Sequence, residues 1–259
     1  MASTFDDAAE FYDAVRPGYP ERLFDDIELL TGLRKGSSVL EVGCGTGQAT
    51  VRFAERGYRV VCVDPGGALV EVARRKLAGH HVEFVTSRFE DWTLGGRFDV
   101  VASGTAWHWV DPTIGYTKAA AALKDDGFLA LFWNLHPTPY TGFFEAVQSV
   151  YASAVPGWGD PRDRPSSEER IRSIGAEIEA SGLFKAPVLR RYTWSRVYTR
   201  EEYLGLLDTY SDHRSLPLVE KESLYSGISR VINEYGGRVE RPYLTALFVS
   251  RRARSPLSL

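Results

Sequence analysis

The length, charge and composition of the chain already exclude several classes of protein. Its 259 residues carry a formal net charge of −3 and are 44% hydrophobic, which is typical of a globular protein and gives no chain-wide attraction to nucleic acid. The longest unbroken apolar run, residues 128–133, is too short to span a bilayer, and the N-terminal segment lacks a signal-peptide pattern. Cys44 and Cys62 lack the spacing of a disulfide framework or a metal site. We therefore expect a cytoplasmic protein with no metal, no nucleic-acid partner and no membrane partner.

Strand and helix patterns alternate along the first half of the chain. Short apolar runs predict five strands, at residues 39–42, 59–63, 82–85, 98–102 and 128–133. Amphipathic or alanine-rich segments predict helices between them, at residues 46–56, 68–77 and 114–123. Alternating β and α units form a parallel sheet that is covered by helices on both faces. Ligands of such sheets bind beyond the carboxyl ends of the strands.

The second half of the chain predicts two more strands, at residues 188–194 and 241–250. Further helices are indicated by two capping boxes and one helical stretch: Ser166 with Glu169, Thr199 with Glu202, and residues 220–234. With these strands the predicted fold class is α/β, a doubly wound, mostly parallel, Rossmann-like sheet of seven strands with helical lid insertions.

The domain organisation follows from this order of elements. Residues 1–134 are predicted to form N-terminal helices and the Rossmann-like, ligand-binding core, and residues 187–259 the last strands of that core. We interpret residues 135–186, which contain several prolines, and residues 196–238 as insertions that fold over the ligand crevice. Since the insertions need no core of their own, we expect one compact domain, as a monomer or a homodimer.

The most informative motif is the run of three alternating glycines after the first strand. Gly43, Gly45 and Gly47 permit positive φ angles and let the backbone come close to a nucleotide-like ligand. A dinucleotide-binding motif needs its third glycine at position 48, where the chain has Gln48. Glu41 stands two residues before the first glycine, where a carboxylate would face the ligand. It would repel a pyrophosphate and attract an amino group or a sulfonium, so the motif favours a cationic adenosine cofactor over NAD.

The Glu-x-Gly-x-Gly-x-Gly order of residues 41–47 resembles the first motif of class I S-adenosylmethionine (SAM)-dependent methyltransferases. Residues 11–20, Phe-Tyr-Asp-Ala-Val-Arg-Pro-Gly-Tyr-Pro, are similar to the segment that opens many small-molecule methyltransferases and packs over the cofactor. The runs at 106–112 and 210–213 resemble bacterial methyltransferase type 11 proteins, which are distantly similar to trans-aconitate methyltransferase. The resemblance covers residues 5–134 well and implies SAM as the cofactor, with S-adenosyl-L-homocysteine (SAH) as its product.

The resemblance implies a partner for each part of the cofactor. Asp64, which ends the second strand, would accept both ribose hydroxyls, and Phe89 would pack on the adenine. Trp107 would wall off the sulfonium, because an aromatic face attracts a cation, and Arg16 would pair with a carboxylate of the cofactor or of the substrate. The predicted cofactor-binding residues are Tyr12, Arg16, Tyr19, Glu41, Gly43, Cys44, Gly45, Thr46, Gly47, Asp64, Pro65, Phe89, Glu90, Gly104, Thr105 and Trp107.

The chemistry of methyl transfer asks little of the protein. A sulfonium leaves as a neutral thioether, so catalysis needs alignment and exclusion of water rather than a general acid. A base is needed only for a hydroxyl or protonated-amine acceptor, and His108 is the candidate. The residues predicted to contact the acceptor are Trp109, His136, Tyr140, Tyr210 and His213. We therefore predict a methyltransferase that modifies an oxygen, a carboxylate oxygen included, or a nitrogen of a small molecule.

Three alternatives remain open on the sequence. A SAM-dependent methyltransferase of RNA or protein would be expected to show a basic, aromatic-interleaved surface or an added binding module, and neither is evident. A nicotinamide-dependent oxidoreductase is disfavoured by Gln48 and Glu41. A non-catalytic SAM-binding protein would carry the same motifs.

Overall fold

Seven strands form one sheet in the computed structural model, which describes residues 2–160 and 163–253. The strands are β1 (Ser38–Val42), β2 (Arg59–Asp64), β3 (Val82–Thr86), β4 (Phe98–Gly104), β5 (Leu123–Leu135), β6 (Val188–Thr199) and β7 (Arg238–Arg251). Their order in the sheet is β3-β2-β1-β4-β5-β7-β6. Strands β1 to β5 are parallel, and β7 lies antiparallel between β5 and β6. The predicted mostly parallel, seven-stranded α/β sheet is confirmed.

Helices cover both faces of this sheet. They are α1 (Ala2–Val15), α2 (Glu21–Thr31), α3 (Thr50–Glu55), α4 (Gly67–Lys76), α5 (Pro112–Ala122), α6 (Phe143–Ala146), α7 (Gln148–Ala154), α8 (Ser167–Ala180), α9 (Arg200–Asp208), α10 (Ser211–Arg214) and α11 (Leu218–Glu234). Neighbouring residues of a strand point to opposite faces, so Val39 packs with α2, α3 and α4, while Leu40 packs with α5 and α8. No helix in the described ranges is long and apolar enough to cross a membrane.

A third apolar cluster lies beyond the sheet proper. It joins α6, α9 and α11 to the outer ends of β6 and β7, through Phe143, Leu206, Ile228, Tyr198 and Tyr243 among others. The capping boxes predicted at Ser166 and Thr199 are both present, and they begin α8 and α9. Helices from residues 143–154 and 200–234 therefore pack together as one cluster, whereas α8 packs on a face of the sheet.

Several element boundaries differ from the prediction, among them one helix start, one helix end and one strand end. The helix expected over 46–56 begins only at Thr50, because Gly45 and Gly47 have φ angles of +54° and +81° that no helical residue adopts. The helix that was expected to end at Leu123 ends at Ala122, and β5 starts at Leu123. Residues 196–199, which were assigned to the second insertion, complete β6.

Strand β7 extends well past its neighbour β5. Its pairing with β5 ends at Leu244, opposite Leu135, whereas its pairing with β6 continues to Arg238, opposite Thr199. Residues 238–243 are therefore hydrogen-bonded along one edge only. Pro242, which lacks a backbone donor, is compatible with such an edge position.

Candidate active site

The loop after β1 has a backbone that only glycine supplies without strain. Gly43 has a φ of +75°, and its N–H donates to the carbonyl of Val63 at 2.8 Å, which anchors the loop to β2. A Cβ on Gly43 would lie 2.3 Å from the Cβ of Ala106, which follows β4. The loop therefore borders the crevice between β1 and β4, the point where the strand order reverses and ligands of such sheets bind.

Asp64 forms the floor of this crevice. One carboxylate oxygen accepts the N–H of Gly45 at 2.8 Å, and the other accepts the N–H of Gly66 at 2.7 Å. Burial raises the pKa of the Asp64 carboxyl, and the two N–H donors act against that rise. A carboxylate has about four acceptor sites, so each oxygen can take a further hydrogen bond. Asp64 therefore holds the glycine loop and keeps acceptor sites for a pair of hydroxyls.

Glu41 does not border the glycine-loop crevice, where its carboxylate was expected to face a ligand. Its side chain is buried against Cys62 and Thr50 and does not border either cavity described below. The pKa of its carboxyl is raised to about 7. Burial is the main cause and the charge of Asp64 adds to it, while the hydrogen bond with Thr50 acts in the opposite direction. The reason is strand alternation, since Glu41 is the register partner of Cys62 and points into the space under α3.

The end of β4 is fastened to both the sheet and the N-terminal segment. Thr105 has a positive φ of 54°, unusual for a residue with a side chain, and its N–H donates to the carbonyl of Phe132 at 2.7 Å. The Tyr19 hydroxyl donates to Thr105 Oγ1 at 3.0 Å. A Cβ on Gly104 would lie 2.6 Å from the Phe132 ring and 2.8 Å from the Tyr19 hydroxyl, so this position accepts no side chain.

These elements enclose a first cavity of about 490 Å³, within the size range of small-molecule sites. Most of the residues predicted to bind the cofactor border it: Tyr12, Arg16, Tyr19, Gly43, Cys44, Gly45, Thr46, Asp64, Pro65, Phe89, Glu90, Gly104 and Thr105. Trp109 and Tyr210, predicted for the acceptor, border it as well. The predicted residues that do not border it are Glu41, Gly47 and Trp107.

Trp107 lies behind the cavity wall instead of in it. The indole is buried and packs against Phe89 and Tyr116, with ring centroids 5.9 and 5.4 Å away. The three residues 107–109 form one 3₁₀ turn, which directs Trp107 into the core and leaves Trp109 exposed. Of the three packed rings, Trp107, Phe89 and Tyr116, Phe89 is the one that borders the first cavity.

Helix α1 and the segment after it cover one side of the first cavity. Gln48, which stands where a dinucleotide motif has glycine, donates to the carbonyl and carboxylate oxygens of Asp13, both at 2.9 Å. Arg16 donates to the carbonyl of Thr209 at 3.0 Å. The Arg16 guanidinium lies 4.9 Å from the ring centroids of both Tyr12 and Tyr210. The N-terminal helix is thus tied to the glycine loop and to the segment after α9.

A second cavity of about 160 Å³ adjoins the first. Tyr210 and Arg241 border both cavities. The other residues predicted to contact the acceptor, His136, Tyr140 and His213, border the second cavity. The structure therefore brings the predicted acceptor residues together in the two adjoining cavities.

His136 has one ring nitrogen without a partner. Its Nδ1 lies 2.8 Å from the carbonyl of Pro137, to which it donates, and its buried Nε2 has no hydrogen-bond partner among the described residues. Burial and, to a smaller extent, the charge of Arg241 lower the pKa of His136 to about 4. The imidazole is therefore neutral at pH 7, with the Nε2 lone pair available.

His213 belongs to a hydrogen-bonded chain of three side chains. Its Nδ1 lies 2.7 Å from the Asp212 carboxylate, and its Nε2 lies 3.0 Å from the Tyr151 hydroxyl. When Nδ1–H donates to Asp212, Nε2 accepts a hydrogen bond from the Tyr151 hydroxyl. All three side chains border the second cavity.

His108, predicted as the base, lies outside both cavities. Its Nδ1 accepts the indole N–H of Trp133 at 3.3 Å, which is the role of a structural hydrogen-bond partner. The structure therefore adds no support for a catalytic role of His108, which stays a prediction. In the described ranges no group of three or more His, Cys, Asp or Glu side chains could hold a metal ion.

Partnerless polar atoms concentrate at the two cavities. Four buried side-chain polar atoms in the described part of the chain lack a hydrogen-bond partner: Arg16 Nε, Thr46 Oγ1, His136 Nε2 and Arg241 Nε. The residues that carry them all border one or both cavities. Buried polar groups are paired in the large majority of cases, so this concentration marks the two cavities as places where a ligand supplies the partners.

Arg241 and Tyr243 reach the first cavity from β7. Both lie in the strand predicted for residues 241–250, and the sequence analysis assigned no role to either. The signal was present, since Arg241 and Pro242 interrupt an otherwise apolar strand pattern.

Comparison with known proteins agrees with this geometry. Residues 39–127 match the family model described as a methyltransferase domain. The chain is 36% identical over 134 residues to an uncharacterized methyltransferase of Mycobacterium tuberculosis, covering 52% of this chain and 53% of that protein. It is 31% identical over 136 residues to the malonyl-[acyl-carrier protein] O-methyltransferase of Acetivibrio thermocellus, covering 50% of this chain and 47% of that protein. The chain thus spans about half the length of these curated relatives.

Solved structures share the whole fold. A protein of Anaeromyxobacter dehalogenans, provisionally assigned as a type II methyltransferase, superposes with a TM-score of 0.60 at 22% identity, covering 92% of this chain and 96% of that one. A SAM-dependent methyltransferase of Thiobacillus denitrificans in complex with SAH gives 0.52 at 15% identity, covering 92% and 93%. The fold is the Rossmann-like fold of these methyltransferase structures. Together with the match of residues 39–127 to a methyltransferase domain, these relatives support a class I SAM-dependent methyltransferase. The finer similarity to trans-aconitate methyltransferase finds no support in these relatives.

Proposed function

We propose that this protein is a SAM-dependent methyltransferase that acts on a small molecule. The observation that carries the proposal is the first cavity, where the glycine loop, Asp64 and the small residues after β4 surround about 490 Å³ at the switch point of the sheet. When bound, SAM supplies a methyl group on a sulfonium, and loss of that group leaves a neutral thioether.

The residues around the first cavity fit the parts of such a cofactor. The free acceptor sites of Asp64 suit the ribose hydroxyls, and Phe89 offers a ring to the adenine. Gly104 and Thr105 border the first cavity after β4, and the absence of a side chain at Gly104 suits close approach of the methionine part. Arg16, which has no carboxylate partner in the described ranges, suits the cofactor carboxylate.

The second cavity supports a small acceptor. It shares Tyr210 and Arg241 with the first cavity, and side chains of α6, α7, α9 and α10 line it on several sides. Such a lining suits a small acceptor and reduces the contact of that acceptor with water, which assists methyl transfer. A long RNA or protein chain would need an extended groove instead.

An acceptor with an O–H or N–H group must release its proton. The neutral Nε2 of His136 and the Tyr151 hydroxyl, which is hydrogen-bonded to His213, are two groups in the second cavity that could accept a hydrogen bond from the O–H or N–H of such a substrate.

Ligand-induced stabilisation tests the proposal directly. SAM or SAH at about 100 times its dissociation constant should add about 2.7 kcal/mol to the unfolding free energy, whereas NAD should add nothing. Absence of stabilisation by SAM and SAH would refute the proposal, and stabilisation by NAD would favour the oxidoreductase alternative. A turnover assay for SAH release with small carboxylic acids, phenols and amines, and with total RNA as the contrasting substrate, then separates the small-molecule from the macromolecular alternative.

A further inference from the structure

Arg241 places a positive charge at the junction of the two cavities without a carboxylate partner. Its side chain borders both cavities, and its Nε is shielded from solvent and has no hydrogen-bond partner. Within the described residues no ion pair includes Arg241. Removing a charge from water costs several kcal/mol unless a partner compensates it, so this arrangement needs an explanation.

Aromatic rings compensate part of that cost. The Arg241 guanidinium lies 5.3 Å from the ring centroid of Tyr243, 5.9 Å from that of Tyr210 and 6.0 Å from that of Phe144. Each such contact contributes about 0.5–2 kcal/mol, but a ring face accepts no hydrogen bond in the plane of the guanidinium. The hydroxyl of Tyr203 interacts with one of the donors, and a guanidinium has five. Most of its hydrogen-bonding capacity is therefore unused.

The strand pairing adds positive charge instead of removing it. Arg196 lies directly opposite Arg241 in the β6–β7 pair, on the same face of the sheet. Like charges in this position are destabilising. Arg196 donates to the carbonyls of Ala14 and Arg16, at 2.8 and 3.0 Å, and no described carboxylate pairs with it or with Arg16. Arg196 thus adds positive charge opposite Arg241, while its own donors hold the end of α1.

The acidic residues nearby are already engaged. Asp212, the carboxylate that borders the second cavity, accepts both the N–H and the Nδ1–H of His213. In the first cavity, Glu90 accepts from Arg88 and from the N–H of Asp111, and Asp64 accepts the N–H groups of Gly45 and Gly66. The protein therefore supplies no counter-charge to Arg241, and an anion must come from a ligand.

We propose that Arg241 binds a carboxylate of the methyl acceptor, and that the acceptor is a compact carboxylic acid with an apolar or aromatic body. The proposal rests on the methyltransferase function proposed above. One guanidinium between ring faces matches a planar carboxylate, whereas phosphate sites recruit several backbone amides or a helix N-terminus. The rings of Tyr140, Phe144 and Trp158 border the second cavity, and its volume of about 160 Å³ limits the size of the body.

A pair of matched probes tests this assignment. Benzoate and the neutral benzamide have nearly the same shape, and calorimetric titration of the SAH-loaded protein measures their binding. We expect benzoate to bind at millimolar concentration and benzamide about tenfold or more weakly. Arg241→Gln should lower the affinity for benzoate about 10- to 100-fold, the effect of losing a charge-assisted pair, and leave benzamide unchanged. Arg241→Lys, which keeps the charge without the planar fork, should fall between the two.

The matched control is Arg238→Gln, at an exposed position of the same strand, and it should bind benzoate like the wild type. Equal binding of benzoate and benzamide, no benzoate binding at millimolar concentration, or full affinity in Arg241→Gln would each overturn the proposal. A preference for phenyl phosphate over benzoate would overturn the carboxylate assignment. If Arg241→Gln does not fold, Arg241→Lys carries the test.

The same titrations separate this proposal from the function on which it rests. SAH should bind to Arg241→Gln and to the wild type alike, because Arg16 and not Arg241 is assigned to the cofactor. If SAH binds neither protein, the methyltransferase proposal fails. If SAH binds both and benzoate does not distinguish them, only the carboxylate site fails.

Discussion

The two cavities are built by different means. The first is shaped mainly by backbone, since Gly43 and Gly104 admit no side chain and the N–H groups of Gly45 and Gly66 hold Asp64. The second is shaped by side chains that converge from helices and from β7, such as the imidazole of His136. A site built from backbone constrains residue type at fixed spacing. A site built from side chains constrains only positions in space, so that many sequences can form it.

The largest effect should follow from adding a side chain to the backbone-built cavity. Gly43→Ala needs a positive φ and places its Cβ 2.3 Å from that of Ala106, so we expect a loss of about 2–5 kcal/mol in unfolding free energy and no SAH binding. Gly79→Ala is the control, with a φ of +90° but no heavy atom within 4 Å of the new Cβ. Its cost should be about 1–2 kcal/mol, from strain alone. Equal losses in urea unfolding would show that close approach does not constrain the loop.

Removal of the floor carboxylate should have the next largest effect. Asp64→Ala should weaken SAH binding by about 1.5–3 kcal/mol, because it removes charge-assisted hydrogen bonds to the ribose. The control is Asp126→Ala. Asp126 is exposed near the start of β5, before the regular pairing with β4 begins at Phe128, and this variant should bind SAH like the wild type. Calorimetric titration measures both. Unchanged affinity in Asp64→Ala would mean that Asp64 serves only the two loop N–H groups.

Buried His136 in the second cavity should make the unfolding free energy depend on pH. The pKa of His136 is about 4 in the folded protein, below the value of about 6.5 for an unfolded histidine, so the unfolded state binds more protons between these values. The stability that depends on neutral His136 is complete above pH 6.5 and is lost as the pH falls toward 4. Urea unfolding across this range should therefore be less pH-dependent in His136→Asn, by about 1–3 kcal/mol. An identical slope in both proteins would contradict the burial of this imidazole.

The smallest effect concerns the attachment of α1 to β6. Arg196→Gln removes two hydrogen bonds to the carbonyls that end α1, and should cost about 0.5–1.5 kcal/mol. Amide hydrogen exchange should speed up in α1 without change in the sheet. The control is Arg190→Gln, since Arg190 is exposed on the same strand and donates only to the neighbouring Leu189 carbonyl. Similar exchange in both variants would show that Arg196 does not hold α1.

The backbone-built half of the molecule could be predicted because its physics is local. The glycines at 43, 45 and 47 have positive φ angles, and the strand periodicity places Asp64 at the end of β2. The same local reasoning failed where a side-chain direction mattered. Glu41 points under the loop because of strand alternation, and Trp107 points into the core because residues 107–109 form a 3₁₀ turn.

The side-chain-built half was harder to predict because its contacts join distant segments. His136, Tyr140 and His213 were chosen as candidates by residue type, and only the packing of the insertions brings them to one cavity. From the sequence alone, Arg241 could not be told apart from a solvent-exposed charge at the start of the last strand. Its shielding depends on β7 continuing past Leu135, more than a hundred residues earlier in the chain, and no local pattern reports that register.

The extension of β7 beyond β5 has a consequence for how the protein can diversify. Residues 238–243 share backbone hydrogen bonds with β6 alone, so exchange of their side chains leaves the five parallel strands undisturbed. We expect a library restricted to Arg241, Tyr243 and the ring-bearing positions of α6 and α7 to retain SAH affinity while its members differ in the acceptors they take. In evolutionary terms the extended strand acts as a separate module, in which selectivity can drift while the sheet remains under constraint.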